Sequence, residues 1–105
     1  MATGYLRYPD VHGDLVVFTA DNDLWLVPVL GGRASRLTSD HVMVRNPRFS
    51  PNGTKIAWNS YLGQRPEVFV IDLATGDQRR LTWLGAARNL VVGWQDDEHV
   101  VFSSP

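Results

Sequence analysis

Hydrophobic landmarks recur along this chain at nearly constant spacing, and that periodicity constrains the fold more than any other feature. Leu15-Val16-Val17-Phe18 precedes Leu24-Trp25-Leu26-Val27 and then Arg36-Leu37-Thr38. Lys55-Ile56-Ala57-Trp58 precedes Val68-Phe69-Val70-Ile71 and then Arg80-Leu81-Thr82. His99-Val100-Val101-Phe102 opens a third copy. Phe18 and Trp58 lie 40 positions apart, Thr38 and Thr82 44, and Trp58 and Phe102 44. The difference falls in the segment Tyr61 to Pro66, which is longer than Asp21-Asn22-Asp23 of the first copy. A period of about 40–45 residues with several short strands per unit is the signature of a β-propeller blade.

Local signals agree with the period. Each copy carries β-branched and aromatic runs bounded by Gly, Pro, Asn or Asp, and helical periodicity is absent. Strands are expected near 5–8, 15–20, 24–29 and 34–38, then near 46–50, 55–60, 67–72 and 78–82, then near 90–94 and 99–103. Asn52-Gly53 suits a tight hairpin turn, His12-Gly13-Asp14 and Asp96-Asp97 take the same place in the other copies, and Gly31-Gly32 and Thr75-Gly76-Asp77 close the later hairpins. The expected fold is all-β: a β-propeller fragment of antiparallel four-stranded blades, with blade 1 over 5–38, blade 2 over 46–82 and the first half of blade 3 over 90–105. A length of 105 residues then fits a fragment better than a closed domain.

Composition removes several function classes. A net charge of −1 argues against nucleic-acid binding, which needs a basic face. No apolar run approaches the roughly 20 residues that span a membrane, and Met1 to Gly13 does not read as a secretory leader. A cytoplasmic location follows if no leader is removed. The absence of cysteine excludes disulfides, cysteine–zinc sites and thiol catalysis.

The stretch Phe49-Ser50-Pro51-Asn52-Gly53-Thr54-Lys55-Ile56-Ala57-Trp58, followed by Val68 to Leu73 and Arg80-Leu81-Thr82, resembles a TolB-type propeller repeat, with Asn52 where that repeat usually has Asp. The opening Pro9-Asp10-Val11-His12-Gly13-Asp14-Leu15-Val16-Val17-Phe18, then Asp23-Leu24-Trp25-Leu26, resembles the start of the tricorn protease family. That resemblance covers nearly the whole chain. It implies the first part of a six-bladed propeller in a cytoplasmic serine peptidase. It also implies a homo-hexamer and a catalytic apparatus in C-terminal domains beyond this segment. No catalytic residue carries over to any position here. The propeller would be a non-catalytic scaffold or channel that gates peptides. The alternatives are a TolB-like interaction propeller without enzymatic activity and the propeller of a prolyl-oligopeptidase-like hydrolase. The coding sequence downstream of Pro105 separates the three.

The remaining chemistry candidates have plainer readings. His12, His41 and His99 fall in a turn, an inter-blade loop and a strand start, not in a set of converging metal ligands. Asp21-Asn22-Asp23 and Asp96-Asp97-Glu98 lack the glycine and distal glutamate of a calcium loop and fit hairpin turns. No Gly-x-Ser-x-Gly elbow is present, and Ser50 is expected to bond turn backbone. Asn52-Gly53-Thr54 matches a glycosylation sequon but is also the turn. Gly31-Gly32 precedes no helix, so it is not a phosphate cradle. Phe18, Trp25, Trp58 and Phe69 are expected to pack blade against blade. No cofactor and no metal is expected.

The loops between blades are more suggestive. Ser39 to Asn46 and Trp83 to Asn89 are both long, and both end in Arg-Asn. In a propeller they feed the innermost strands, on the face from which the Tyr61–Pro66 loop with Arg65 also emerges. Arg45, Asn46, Arg65, Arg88 and Asn89 are therefore the candidate pore or rim residues, with arginines that attract peptide carboxylates. The plainer and preferred alternative is that they bond backbone or acidic residues between blades. A propeller cut inside its third blade also leaves an unpaired edge and uncovered apolar surface. The isolated chain is expected to self-associate, and sedimentation of a stable monomer would contradict this.

Overall fold

A computed structural model describes residues 7–38, 42–62, 65–85 and 88–103. They form ten strands in three antiparallel sheets. The first sheet holds β1 (Arg7–His12), β2 (Leu15–Ala20), β3 (Asp23–Pro28) and β4 (Ser35–Arg36) in chain order. The second holds β5 (Val44–Phe49), β6 (Lys55–Leu62), β7 (Arg65–Asp72) and β8 (Gln78–Arg80), again in chain order. The third pairs β9 (Leu90–Asp96) with β10 (His99–Ser103). No helix is present among the described residues, and so none long and apolar enough to cross a membrane.

The register shows why the copies match. Phe18 faces Trp25 across β2 and β3, and Trp58 faces Phe69 across β6 and β7. Both first strands carry a bulge, with register breaks between Arg7 and Asp10 and between Arg45 and Arg48. Tyr8 and Asn46 sit in these bulges with φ of 52° and 57°, each followed by a proline. A bulge leaves one residue unpaired, so the missing N–H of Pro9 or Pro47 costs no ladder bond.

Several boundaries differ from expectation for physical reasons. The first strand, expected near 5–8, runs over Arg7–His12, and residues 5 and 6 lie outside those described. His12 pairs directly with Leu15, because Gly13 takes φ +55° and closes a two-residue turn. The segment Tyr61–Pro66, expected as a loop, extends the ladder instead, with Tyr61 opposite Pro66 and Leu62 opposite Arg65. The Tyr61 amide turns to the Met43 carbonyl at 3.0 Å, so the partner position on β7 needs no N–H and accepts proline. The connection at Asn52-Gly53 is wider than a two-residue hairpin. Ser50 accepts from the Gly53 amide at 2.8 Å, and its hydroxyl takes the Lys55 amide at 3.1 Å. The fourth strands end early, at Arg36 and Arg80, because a threonine hydroxyl replaces the next carbonyl of the ladder.

The core lies in the two seams between sheets. In the first, Val17 and Leu24 of the first sheet pack with Val44, Phe49, Ile56, Trp58 and Ile71 of the second. In the second, Ala57 and Val68 meet Val91, flanked by Trp94 and Val100. Strand residues alternate between faces, so Ile56 and Trp58 serve the first seam and Ala57 the second. By the same alternation Phe18 and Trp25 lie on the face of the first sheet opposite Val17 and Leu24. Polar contacts reinforce both seams. Asp10 Oδ2 accepts from the Phe49 amide at 2.8 Å, and the Trp94 indole donates to the Arg48 carbonyl at 2.9 Å. His12 Nε2 meets the Pro51 carbonyl at 2.8 Å, and its ring lies so close to Gly53 (φ +74°) that any Cβ there would collide with it. Val92 (59% exposed) and Val101 (42% exposed) remain uncovered on the third sheet.

Candidate functional site

The same polar clasp is built into both complete sheets. In the first, Thr38 Oγ1 accepts from the Leu24 amide at 3.0 Å and donates to Asp23 Oδ1 at 2.8 Å. In the second, Thr82 Oγ1 accepts from the Val68 amide at 2.9 Å and donates to Glu67 Oε1 at 2.5 Å. Asp23 is 1% exposed and Glu67 2%. A buried carboxylate is tolerated only when it is hydrogen-bonded and partnered. An arginine completes each clasp: Arg36 lies 3.7 Å from Asp23, and Arg80 lies 3.5 Å from Glu67. Each guanidinium also covers an indole, Arg36 over Trp25 at 5.0 Å and Arg80 over Trp83 at 4.9 Å.

Glu67 reaches beyond its clasp. Its carboxylate also accepts from the amides of Leu84 at 3.1 Å and Gly85 at 2.9 Å, at the start of the second inter-blade connector. The Asn89 side-chain amide, at the end of that connector, lies 3.5 Å from Glu67 Oε1 and 3.2 Å from Thr82 Oγ1. Burial pushes the Glu67 carboxyl up, but the Thr82 hydroxyl, the Gly85 and Leu84 amides and the Arg80 guanidinium outweigh it and hold it below the usual value. A depressed folded value means that the ionised group stabilises the fold above the unfolded carboxyl pKa. That contribution is lost as pH falls through the folded value. Acid titration of wild type and Glu67→Gln should therefore show a stability difference that is full at neutral pH and shrinks in acid. A difference that grows in acid would contradict this assignment.

The five rim candidates fall in unlike environments. Arg45 and Asn46 are inside β5, not in the loop before it. The Arg45 guanidinium lies over Tyr61 at 5.4 Å and Tyr8 at 6.0 Å, in a cleft of about 270 Å³ at the seam of the first two sheets. Asp21 and Asn22 form another wall of that cleft. Arg65 is exposed at the start of β7, and Arg88 is exposed just before β9. Asn89 is fully buried. Asn46 and Asn89 are brought together by Asn59, whose Oδ1 accepts from Asn46 Nδ2 at 3.1 Å and whose Nδ2 donates to the Asn89 carbonyl. Asn89 Oδ1 is the one buried side-chain polar atom with no partner among the described residues.

The two described histidines do not converge. His12 spans the first seam, and His99 pairs with Asp96 at 2.8 Å on the surface, while His41 lies outside the described residues. No group of three metal-ligating side chains occurs among the described residues. The sequence reading gave Asp23 only a place in a hairpin turn, and it passed over Glu67 and Asn59. The first two had a signal: each acid stands 15 residues before the threonine of an Arg-Leu-Thr triplet. Asn59 had none, since a polar residue in an apolar strand does not declare its partners.

Comparison with known proteins places this geometry. The family model of the tricorn protease N-terminal beta propeller domain matches residues 3–105. Tricorn protease homolog 1 of Streptomyces coelicolor is 49% identical over 100 residues, which cover 95% of this chain and 9% of that protein. A TolB homolog of Chlorobium luteolum is 43% identical over 62 residues, 59% of this chain and 14% of that one. Among solved structures, the crystal structure of the tricorn protease superposes with a TM-score of 0.86 at 26% identity, covering 95% of this chain and 11% of that chain. The chain thus spans about a tenth of the tricorn proteins it matches here.

Proposed function

The chain belongs to the family of the tricorn protease N-terminal β-propeller domain, and we propose that it is a non-catalytic scaffold or channel segment of a tricorn-like serine peptidase. In this reading the reaction is performed by other domains of a longer, cytoplasmic, homo-oligomeric protein, and this segment guides peptides to or from them. The match over residues 3–105 carries the reading. The geometry adds support. The buried polar groups are spent on holding sheets and connectors together, which suits a rigid wall better than a reaction centre.

Within that wall, Arg45, Arg65 and Arg88 are the cations proposed to meet peptide carboxylates or acidic side chains, with Asn46 and Asn89 as their supports. Arg65 and Arg88 are exposed, and among the described residues Arg45 faces tyrosine rings with no carboxylate partner. A guanidinium with unspent donors can bind a carboxylate bidentately. The test is the full-length protein carrying Arg45→Ala or Arg88→Ala singly. KM for acidic peptides should rise about three- to tenfold, as for loss of one exposed charge-assisted contact. KM for basic peptides should change little. Equal turnover of both peptide classes in variant and wild type would remove the rim role. The relation to a TolB homolog keeps a second reading, an interaction propeller without enzymatic activity. A coding sequence that ends after a complete ring would favour it.

A further inference from the structure

We propose that Glu67 is the positioning residue of the connector 83–89: one buried carboxylate that gathers both ends of the loop and sets where Arg88 stands. The functional part of this inference rests on the rim reading of Arg88 given above. The structural part does not.

The argument begins with what a loop of this length costs. Each ordered backbone residue loses about 1–2 kcal/mol of conformational entropy, so a connector holds one shape only if its backbone groups have partners. The first turn of this one is anchored by the Leu84 and Gly85 amides, which donate to Oε1 and Oε2 of Glu67 respectively. Gly85 itself takes φ +61°, a left-handed backbone conformation that glycine adopts without a Cβ clash. The far end is anchored by Asn89, whose amide reaches the same carboxylate and the Thr82 hydroxyl and whose carbonyl takes the Asn59 amide. Arg88 lies between these anchors, exposed, directly before a fully buried residue. Arg80 is the charged group facing the carboxylate, at 3.5 Å from Oε2, and it also donates from Nε to the Thr82 carbonyl at 2.7 Å.

Asp23 occupies the equivalent place in the first sheet, and its carboxylate, one methylene shorter, closes the same threonine clasp and pairs with Arg36. An aspartate can therefore make the clasp from this position. Shortening Glu67 by one methylene draws the carboxylate back from the Leu84 and Gly85 amides it now holds. Glu67→Asp should therefore keep the clasp and release the loop. Glu67→Gln should keep the reach but turn its carboxamide NH2, a donor, toward a backbone amide that needs an acceptor.

Hydrogen exchange by mass spectrometry on the full-length protein reads this directly, because the Leu84 and Gly85 amides are themselves the donors. In Glu67→Asp their exchange should rise about tenfold or more, while the Leu81 amide, bonded to the Val68 carbonyl at 2.7 Å, should stay within about threefold. Unchanged exchange at residues 84 and 85 would overturn the proposal. So would equal loosening of β7 and β8, which would make Glu67 a general support of the sheet. Peptide kinetics then separate the two readings. If Glu67→Asp raises KM for acidic peptides toward the Arg88→Ala value, with kcat unchanged, the connector positions Arg88 for binding. If exchange rises locally but KM does not move, Glu67 still positions the connector, and the rim role of Arg88 fails.

Discussion

Replacing Trp58 by alanine is expected to cost about 3–5 kcal/mol, the range for truncating a large buried aromatic side chain. Trp58 is 1% exposed and stacks on Phe69 with ring centroids 5.9 Å apart. It also belongs to the cluster that joins the first two sheets, so its loss opens a cavity in a seam and not at an edge. A small domain has only about 5–15 kcal/mol of total stability, so this single change could remove most of it. Phe18 offers the control. It is the equivalent residue of the first copy and is also buried, at 7% exposed, but Val17 of its own strand and Leu24 of β3 supply the seam, and Phe18 lies on the other face, outside that cluster. Phe18→Ala should therefore cost clearly less. Equilibrium denaturation of both variants checks this. An equal cost for the two, or a cost below about 1 kcal/mol for Trp58→Ala, would mean that the seam is not where the stability lies.

The contrast between Trp58 and Phe18 also shows what a repeat can and cannot reveal. The strands, their order and the all-β architecture were legible because period-two alternation and turn residues are local signals. The four landmark aromatics sit in different surroundings. Trp58 and Phe69 join the seam between the first two sheets, while Phe18, buried at 7% exposed, and the half-buried Trp25 lie on the other face of the first sheet. The candidate rim shows the same limit. Arg45-Asn46 and Arg88-Asn89 read alike as dipeptides. Yet the first lies inside a bulged strand and the second before one, since the connector lengths differ. The clasps were legible in principle, as an acid and a threonine 15 residues apart in both copies. Their consequence was not, because the bonds from the Leu84 and Gly85 amides to Glu67 join a strand to an irregular connector, where no local pattern places the donors.

Asn59 carries the second large effect, and it arises from geometry alone. It is fully buried on the face of β6 that meets the third sheet. Its Oδ1 accepts from the Val91 amide at 2.8 Å and from Asn46 Nδ2 at 3.1 Å, while its Nδ2 donates to the Asn89 carbonyl. A single side-chain amide thus stitches β5, β6 and the entry to β9. The apolar part of that seam is small, with Val91 and the flanks of Trp94 and Val100 facing Ala57 and Val68. Asn59→Leu fills a similar volume but leaves the Val91 amide and Asn89 carbonyl buried without these partners, at about 1–3 kcal/mol for each orphaned group. The third sheet should lose most of its docking energy while the first two remain folded. Thr19, the equivalent residue of the first sheet, donates within its own sheet to the Arg7 carbonyl at 3.2 Å, so Thr19→Val should have no such effect on the third. Hydrogen exchange resolves the two cases. In Asn59→Leu the amides of β9 and β10 should lose protection about tenfold or more relative to those of β2 and β3. Loss of protection spread evenly over all three sheets would show that the blades unfold as one unit and that no single amide governs the docking of the third.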